Sequence, residues 1–289
     1  MIILKKTYKH ILKMLPSKYR VSIQYYRLFN MWPNLQNPTN INEKILKRIL
    51  SEKDTKFAFY ADKYAVRSYI AETIGDQYLI PLIAVYSSGQ ELTQLTQWDN
   101  IVIKPTHGAG MVKILNQEPT VNEKNQIIDL ANKWLKEDYS QFSDEWHYSL
   151  ITPKLVVEKK ITNMNEALKD YKFHRFLQKD GSYKQILQIV AERSELGYET
   201  VFFDTDNLDQ ILHSPFGYVE NLTVHEKQYI QKILLLNQQL CLEYNYVRLD
   251  WYILKDTIYF GEITFTPGAG RSKSFAGEFG KTMAKLWNV

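Results

Sequence analysis

Five parts of the chain have the residue pattern of helices. They are residues 1–33 with breaks near Pro16 and Pro33, a segment that begins near Asn42, and residues 56–74, 122–137 and 224–244. Asn42 is expected to cap the second helix, with Glu43 in its first turn, and Gly75 is expected to end the third.

Shorter apolar runs rich in β-branched residues predict strands at 78–83, 101–104, 112–115 and 154–161. Over residues 171–204, aromatic and β-branched residues alternate with polar ones, which predicts an antiparallel meander. Residues 246–254 and 258–264 predict a hairpin. Since the helices and strands follow no regular βαβ order, we expect an α+β fold rather than a doubly wound sheet.

The composition is that of an ordinary globular protein, with 289 residues, 45% hydrophobic and 24% charged. No run approaches the roughly 18 apolar residues that a membrane-spanning helix needs, and the first residues do not have the pattern of a signal peptide. Cys241 is the only cysteine, which excludes an intramolecular disulfide and a cysteine-based zinc site. A cytoplasmic setting is therefore expected.

The positive charge is concentrated at one end of the chain. Residues 1–42 contain no acid and seven basic residues, namely Lys5, Lys6, Lys9, Lys13, Lys18, Arg20 and Arg27. The net charge is +4, so the remainder carries −3, which is +4 minus +7, and no nucleic-acid partner is expected. The segment Ile2–Leu15 has an apolar helical face. It either packs on the body or on a second subunit of a homodimer, or lies on an anionic membrane surface.

The predicted hairpin at 246–264 carries the strongest chemical signal. If Lys255–Thr257 is a three-residue loop, Asp250 faces Glu262 and Arg248 faces Thr264 on one face of the sheet. The other face is apolar and is expected to pack on the core through Val247, Leu249, Trp251 and Ile263.

Two opposed carboxylates repel each other unless a cation or a proton lies between them. Mg²⁺ is the natural occupant because it takes one or two carboxylates together with phosphate oxygens and water. The alternative is a solvent-facing polar side on which two acids happen to align. A change of one residue in the loop length would separate the acids.

A second signal is the glycine-containing turn that follows the strand at 101–104. Backbone N–H groups near Gly108 and Gly110 could approach phosphate oxygens, with Lys104 as a point charge. Neither a Walker P-loop nor a G-x-G-x-x-G motif occurs. The alternative is a plain hairpin turn, in which His107 is a structural hydrogen-bonding residue.

Three further charged positions allow both a functional and an ordinary interpretation. Lys63 and Arg67 are four residues apart on a predicted helix and present two positive charges on one face, or simply a solvated face. Lys172 follows Asp170 at the start of a strand. Glu158 ends the apolar run Leu155-Val-Val and is either a nucleotide contact or a strand-edge charge.

Taken in order, these segments resemble the ATP-grasp superfamily, and more closely its TupA-like family, which is associated with teichuronopeptide and capsular-polysaccharide synthesis. The resemblance runs from about Asn42 to the C-terminus. The matching stretches include Ala61-Asp-Lys-Tyr-Ala-Val-Arg, Ile103-Lys-Pro-Thr-His-Gly-Ala-Gly, Glu145-Trp-His-Tyr, Asp170-Tyr-Lys-Phe, Val247-Arg-Leu-Asp-Trp-Tyr and Tyr259-Phe-Gly-Glu-Ile-Thr-Phe-Thr-Pro-Gly.

The resemblance implies an ATP-grasp fold, in which two α+β lobes hold the nucleotide, and it implies site residues. The expected ATP contacts are Lys63, Lys104, His107, Gly108, Ala109, Gly110, Glu158 and Lys172. The expected magnesium ligands are Asp250, Glu262 and Thr264, and the residues expected to act on the reacting groups are Lys104, Lys172 and Arg248. Thr264 stands where ATP-grasp enzymes often have Asn, and Lys159 stands where relatives tend to have an acid.

The resemblance also implies a function. It is that of a ligase that joins a carboxylate to an amine through an acyl phosphate, consumes ATP with Mg²⁺, and modifies a uronic acid or an amino acid for a surface polysaccharide. The expected regions are a basic helical arm at 1–41, an N-terminal region at 42–98, a first lobe at 99–160 and a second lobe at 161–289. Two alternatives remain open, a glycosyltransferase of polysaccharide synthesis and a nucleotide-binding module without catalysis.

Overall fold

The computed structural model describes residues 12, 14–162, 168–194, 197–217, 221–240 and 242–287. Its helices are α1 (Ser17–Phe29), α2 (Ile41–Ser51), α3 (Lys56–Ala61), α4 (Val66–Ile74), α5 (Val121–Lys136), α6 (Ser140–Ser143), α7 (Val224–Gln239) and α8 (Gly277–Leu286). Its strands are β1 (Leu82–Tyr86), β2 (Ile101–Pro105), β3 (Lys113–Leu115), β4 (Leu155–Lys159), β5 (Asp170–Leu177), β6 (Tyr183–Ser194), β7 (Gly197–Asp204), β8 (Ile211–His213), β9 (Tyr246–Leu254) and β10 (Thr257–Thr264). The predicted α+β class is confirmed.

The smaller sheet has four strands in the order β1-β4-β2-β3, and its neighbours are antiparallel. Helix α5 covers one face, where Ile127 and Ala131 pack with Ile103 and Val157 in a buried cluster. The helix begins with a capping box, in which the Thr120 hydroxyl accepts from a backbone N–H of the first turn and a glutamate side chain folds back on Thr120. One face of this sheet is therefore committed to the core, and the opposite face carries Lys104 and Glu158.

The larger sheet has six strands in the order β10-β9-β5-β6-β7-β8. On one face, α7 packs against β9, and Trp251 donates its indole N–H to Asn237 at 3.0 Å. On the other face, α1, α2 and α8 cover part of the sheet around Tyr246 and Phe202. The expected apolar face of the hairpin is confirmed, because all four of its predicted core residues, Val247, Leu249, Trp251 and Ile263, are buried.

The hairpin of β9 and β10 has the predicted pairing but not the predicted loop. Thr257 belongs to β10 and pairs with Leu254, so the loop has two residues. The register shifts at Gly261, a β-bulge, after which Glu262 pairs with Asp250 as expected. A side chain on residue 261 would lie 3.0 Å from the carbonyl oxygen of Asp250, so glycine suits this position.

The N-cap of α2 is Asn40 rather than Asn42. Its side chain accepts the backbone N–H of Glu43 at 3.0 Å. Asn42 is the second residue of the helix and is buried, where its amide pairs with both backbone groups of Ser272 at 2.9 and 3.1 Å. Two asparagines with the same capping propensity lie two residues apart, and the contact with residue 272 decides between them.

The helix expected over 56–74 is divided into α3 and α4. The carboxylate of Asp62 accepts the backbone N–H groups of Tyr64 and Ala65 at 2.8 and 3.1 Å, a turn that interrupts the helix. Lys63 therefore lies in a turn and does not share a helix face with Arg67, contrary to the expectation from spacing. The end of α4 at Gly75, which has φ +108°, is as predicted.

The N-terminal arm packs on the body through α1. Val21 and Tyr25, one helical turn apart, are buried against α2 and α8. The side chain of Arg20 pairs with the buried carboxylate of Asp144 at 2.6 Å. Most of the amphipathic segment Ile2–Leu15 lies outside the described residues. No helix that the structure describes has the length and apolarity to cross a membrane.

Membrane binding by the start of the chain stays a prediction that truncation can test. We expect the full chain, but not a chain lacking residues 1–13, to co-sediment with anionic vesicles at low salt, because each lysine near such a surface contributes about 1 kcal/mol. The truncation keeps α1, since loss of a buried residue such as Val21 would cost about 1 kcal/mol or more in unfolding free energy. A full-length variant with Lys5, Lys6, Lys9 and Lys13 changed to glutamine is the matched control. Equally poor binding by the full and the shortened chain would make the arm structural.

Candidate functional site

Four polar side chains of the hairpin, those of Arg248, Asp250, Glu262 and Thr264, cluster on the face opposite to its apolar face. Nε and Nη2 of Arg248 donate to the two carboxylate oxygens of Asp250 at 2.6 and 2.7 Å. Nη2 also contacts Glu262 at 2.8 Å and the Thr264 hydroxyl at 3.2 Å. A cation does lie between the opposed carboxylates, and in this structure it is the guanidinium of Arg248.

Lys172 adds a second cation from the neighbouring strand. Residues 172 and 250 are paired in the register of β5 with β9, and Nζ of Lys172 lies 2.7 Å from Asp250 and 3.6 Å from Asp170. Burial opposes the ionisation of Asp250, but Arg248 and Lys172 outweigh it and hold the pKa of Asp250 below its ordinary value. The acidic pair at 250 and 262 is thus balanced by two cations.

A second charged cluster lies on the smaller sheet around Glu158. Its carboxylate accepts from Lys104 at 2.6 Å and from Arg67 at 3.1 Å, and Arg67 also donates to the carbonyl oxygen of Ile80 at 2.9 Å. Glu158 is buried, so it is not a solvated charge at the strand edge. Lys104 has one carboxylate partner and keeps donor capacity for an anion.

Lys63 connects the two clusters electrostatically. Its backbone N–H donates to the carbonyl oxygen of Thr106 and its ammonium to that of Gly108, at 3.2 and 2.5 Å. The pKa of Lys63 is lowered to about 8, mainly by burial. The charge of Glu262 opposes this shift, and the charge of Lys104 adds to it. Its ammonium is therefore within electrostatic range of both sheets.

The predicted glycine turn lies between β2 and β3. Gly108 has φ +79°, and a side chain there would come 2.6 Å from the ring of Tyr139, so this position requires glycine. Gly110 has φ +77° and open space around it. His107 is buried, with Nε2 at 2.9 Å from the carbonyl oxygen of Glu137, a contact that ties the turn to the end of α5.

A cavity of about 320 Å³ adjoins the hairpin cluster and was not predicted from the sequence. Its walls come from the glycine turn, from residues 139–148, from the hairpin and from the segment after the hairpin. The lining residues are Ala109, Tyr139, Ser143, Glu145, Tyr148, Arg248, Glu262, Thr264, Thr266, Gly268, Ala269 and Arg271. The signal in the sequence is that two matching stretches, at 145–148 and 259–268, contain residues to which no role was assigned, among them Glu145 and the turn residues Pro267 and Gly268.

The most perturbed acid of this cavity is Glu145. It is buried, and its carboxylate accepts a short hydrogen bond from the Thr266 hydroxyl. Burial raises its pKa to about 7, the hydroxyls of Thr266 and Ser143 and the charge of Arg271 lower it, and Glu262 raises it. A perturbed acid beside a cavity is a common sign of a functional position.

The cavity floor includes a strained turn at Pro267–Gly270. Gly268, Ala269 and Gly270 all have positive φ values, of 59°, 48° and 67°. For a buried alanine such a conformation costs about 1–3 kcal/mol and persists only where its surroundings enforce it. A side chain at Gly270 would meet the carbonyl oxygen of Asn42 at 2.7 Å, so close packing on α2 enforces the turn.

The predicted site residues therefore fall into two clusters and a glycine turn between them. Their implied roles stay predictions. Among the described residues, no group of three or more histidine, cysteine or carboxylate side chains could hold a metal ion. Mg²⁺ needs only one or two carboxylates when phosphate oxygens complete its shell. The oxygens of Asp250, Glu262 and Thr264 are of the type it prefers, and the last two lie 2.9 Å apart.

A family model described as TupA-like ATP-grasp matches residues 43–287. No curated protein matches the chain. Among solved structures, the chain is similar to an L-amino acid ligase from Bacillus licheniformis, with 12% identity, a TM-score of 0.48, and coverage of 86% of this chain and 55% of that one. It is also similar to the D-alanine-D-alanine ligase from Helicobacter pylori, with 15% identity, a TM-score of 0.46, and coverage of 79% and 60%.

A D-alanine-D-alanine ligase from Bacillus anthracis, solved with ATP, has 15% identity, a TM-score of 0.44, and coverage of 79% of this chain and 62% of that one. The chain thus spans less than two thirds of the length of these three solved proteins.

The raised pKa of Glu145 predicts a pH-dependent stability that Glu145→Gln should remove. Between its ordinary value of 4.5 and about 7, the folded protein keeps a proton that the unfolded chain has lost, so the unfolding free energy falls as pH rises through this window. Each pKa unit corresponds to about 1.4 kcal/mol. The unfolding free energy of Glu145→Gln, relative to that of the wild type, should therefore rise by up to about 3 kcal/mol from acidic to mildly basic pH. Urea unfolding across this range measures the difference.

The exposed Glu278→Gln serves as the control, for which no such gain is expected. If the unfolding free energies of the wild type and Glu145→Gln change with pH in parallel, the pKa of Glu145 is not raised in the folded protein.

Proposed function

The chain belongs to the TupA-like ATP-grasp family, and on that premise we propose that it is an ATP-dependent ligase that joins a carboxylate to an amine. One observation carries the proposal. The described residues place a charged cluster on each of two sheets, with Lys63 within electrostatic range of both and a polar cavity beside the hairpin. Such an arrangement can hold a triphosphate next to two small substrates.

The nucleotide would lie between the two sheets. Lys63 and Lys104 would bind phosphate oxygens, and the glycine turn around Gly108 would offer backbone N–H groups to them. Lys63 donates to the carbonyl oxygen of Gly108, and Lys104 pairs with Glu158. A triphosphate would supply stronger anionic partners to cations that are already in place.

The hairpin fits a magnesium site by the chemistry of its donors. Asp250 and Glu262 are carboxylates and Thr264 is a hydroxyl, all on one face. These three residues would hold Mg²⁺, whose positive charge would offset the negative charge that develops in phosphoryl transfer. Arg248 and Lys172 now neutralise the two acids, and with a triphosphate present these two cations would gain phosphate oxygens as partners.

The chemistry follows from positioning and charge. A substrate carboxylate oxygen attacks the γ-phosphorus of ATP as the bond to ADP breaks, with Lys104, Lys172 and Arg248 stabilising the negative charge. An amine lone pair then attacks the acyl carbon, the amide bond forms as the bond to phosphate breaks, and phosphate leaves with the proton that the nitrogen loses. The walls of the cavity exclude water from the acyl phosphate, which would otherwise hydrolyse.

As its physiological role we propose the modification of a uronic acid or an amino acid for a surface polysaccharide, at the cytoplasmic face of the membrane. The deciding experiment measures phosphate release from ATP across a panel of uronic acids and amines, with mass spectrometry of the products. A product heavier by the amine less one water, with stoichiometric ADP, supports the ligase. Release of a nucleoside diphosphate from a sugar nucleotide without ATP would favour a glycosyltransferase. Tight ATP binding with no turnover across the panel would favour a binding module.

Asp250→Asn and Glu262→Gln should each abolish turnover. Loss of one charge weakens the clamp on the transition state, an effect worth several kcal/mol. Glu262→Gln is the cleaner test, because its side chain is 39% exposed whereas Asp250 is a buried partner of two cations. Asp256→Asn, exposed in the loop of the same hairpin, is the matched control. Near-native activity of either variant at low magnesium would refute the metal site.

Lys104→Met should raise the dissociation constant for ATP about ten- to a hundredfold, which corresponds to a charge-assisted hydrogen bond of roughly 1.5–3 kcal/mol. Lys159→Met, on the neighbouring strand and exposed, should leave it unchanged. Isothermal titration measures both constants. If Lys104→Met binds ATP as tightly as Lys159→Met, the smaller sheet is not part of the nucleotide site.

A further inference from the structure

The cavity beside the hairpin holds two cations, and they differ in how far their charge is satisfied. Arg248 contacts the carboxylates of Asp250 and Glu262, which balance its charge. Among the described residues, Arg271 donates only to a backbone carbonyl, that of Ser143 at 3.0 Å, and its Nη1 is buried without a hydrogen-bond partner. Arg271 is therefore the cation of this cavity that no described carboxylate contacts.

The two acids of the cavity differ in the same way. Glu262 is paired with Arg248. Glu145 is buried and bonded by the hydroxyl of Thr266, and within the described part of the chain no basic side chain forms an ion pair with it. Glu145 is therefore the acid that lacks a cationic partner. A buried carboxylate without one is costly to ionise, as its raised pKa indicates.

Arg271 and Glu145 are fixed close together but do not contact each other. Both are anchored at Ser143, whose carbonyl oxygen accepts from Arg271 and whose hydroxyl accepts the backbone N–H of Glu145 at 3.2 Å. The two charges influence each other, yet no described ion pair joins them. The nearby acid Asp144 is already held by Arg20 at 2.6 Å. A guanidinium that contacts no described carboxylate and a carboxylate that contacts no described basic side chain thus lie side by side.

Glu145 lies on the hairpin side of the cavity, because its carboxylate accepts from the hydroxyl of Thr266, two residues after the end of β10. Arg271 lies beyond the strained turn at Pro267–Gly270 and donates to Ser143. A ligand that spans the two positions would keep its positive group nearer to the hairpin cluster. A small molecule fits best, because a cavity of about 320 Å³ is at the lower end for ligand sites.

We propose that this cavity binds the amine substrate, and that this substrate is a free amino acid with its carboxylate on Arg271 and its ammonium on Glu145. The inference rests on the proposed ligase function and deepens it by naming the class of the amine. An amino acid brings the two charges that the cavity lacks, a short distance apart on one small molecule. Its amino group lies on the side of Glu262, where the acyl phosphate would form.

The test uses ligand-observed NMR on the full chain with ADP and magnesium. The probes are a panel of L- and D-amino acids, each compared with the amine that lacks the carboxylate and with the N-acetyl derivative, such as alanine, ethylamine and N-acetylalanine. For the wild type we expect at least one amino acid to bind about tenfold or more tightly than both of its counterparts.

Two variants separate the two contacts. Arg271→Gln should weaken binding of the amino acid about tenfold and leave the plain amine unchanged. Glu145→Gln should weaken the amino acid and the amine, but not the N-acetyl derivative. If Arg271 and Glu145 had only a structural role, each variant would bind all three probes more weakly. Lys273→Gln, exposed and two residues from Arg271, should change none of them.

Separate ATP titrations keep this inference apart from the proposed function. If the chain binds ATP but prefers no amino acid to its amine, or if Arg271→Gln weakens the amine as much as the amino acid, the inference is wrong and the ligase proposal stands. If amino acids bind through Arg271 and Glu145 but ATP does not bind, the inference stands and the ligase proposal fails.

Discussion

Arg248 places one guanidinium between two carboxylates, and the geometry of the site depends on that contact. Without a cation there, Asp250 and Glu262 would repel each other across the hairpin, and the buried one would tend to take up a proton. The same guanidinium reaches Thr264, and Lys172 joins the group from the next strand. Three adjacent strands are thus linked by charge on one face while their other face is packed in the core.

The sequence predicted this face correctly although one assumption about the hairpin was wrong. A three-residue loop was expected, and the two-residue loop found would by itself have shifted the register by one. The bulge at Gly261 restores it. The sequence does contain a sign of this bulge. Buried apolar residues occur at the even positions 258 and 260 and then at the odd position 263, and this switch indicates an extra residue in the strand.

Other features could not be predicted from local pattern because distant contacts decide them. Asn40 and Asn42 have equal capping propensity, and only the contact with Ser272 shows which one lies inside the helix. The cavity joins segments that are up to about 160 residues apart, so neither Glu145 nor Arg271 has a neighbour in sequence that reveals its role. Spacing identified the residues that share a strand, whereas charges that meet across loops required the fold.

The bulge at Gly261 has a consequence for aligning this chain with its relatives. In a regular strand, residues 260 and 262 would lie on the same side, but here Phe260 is in the core and Glu262 is at the site. A relative without the extra residue is aligned correctly along the whole of β10 only if the gap is placed at position 261. A gap placed in the turn instead would still match the two glutamates, but it would shift residues 257–260 by one and match core positions of one protein with positions on the other face of the strand in the other.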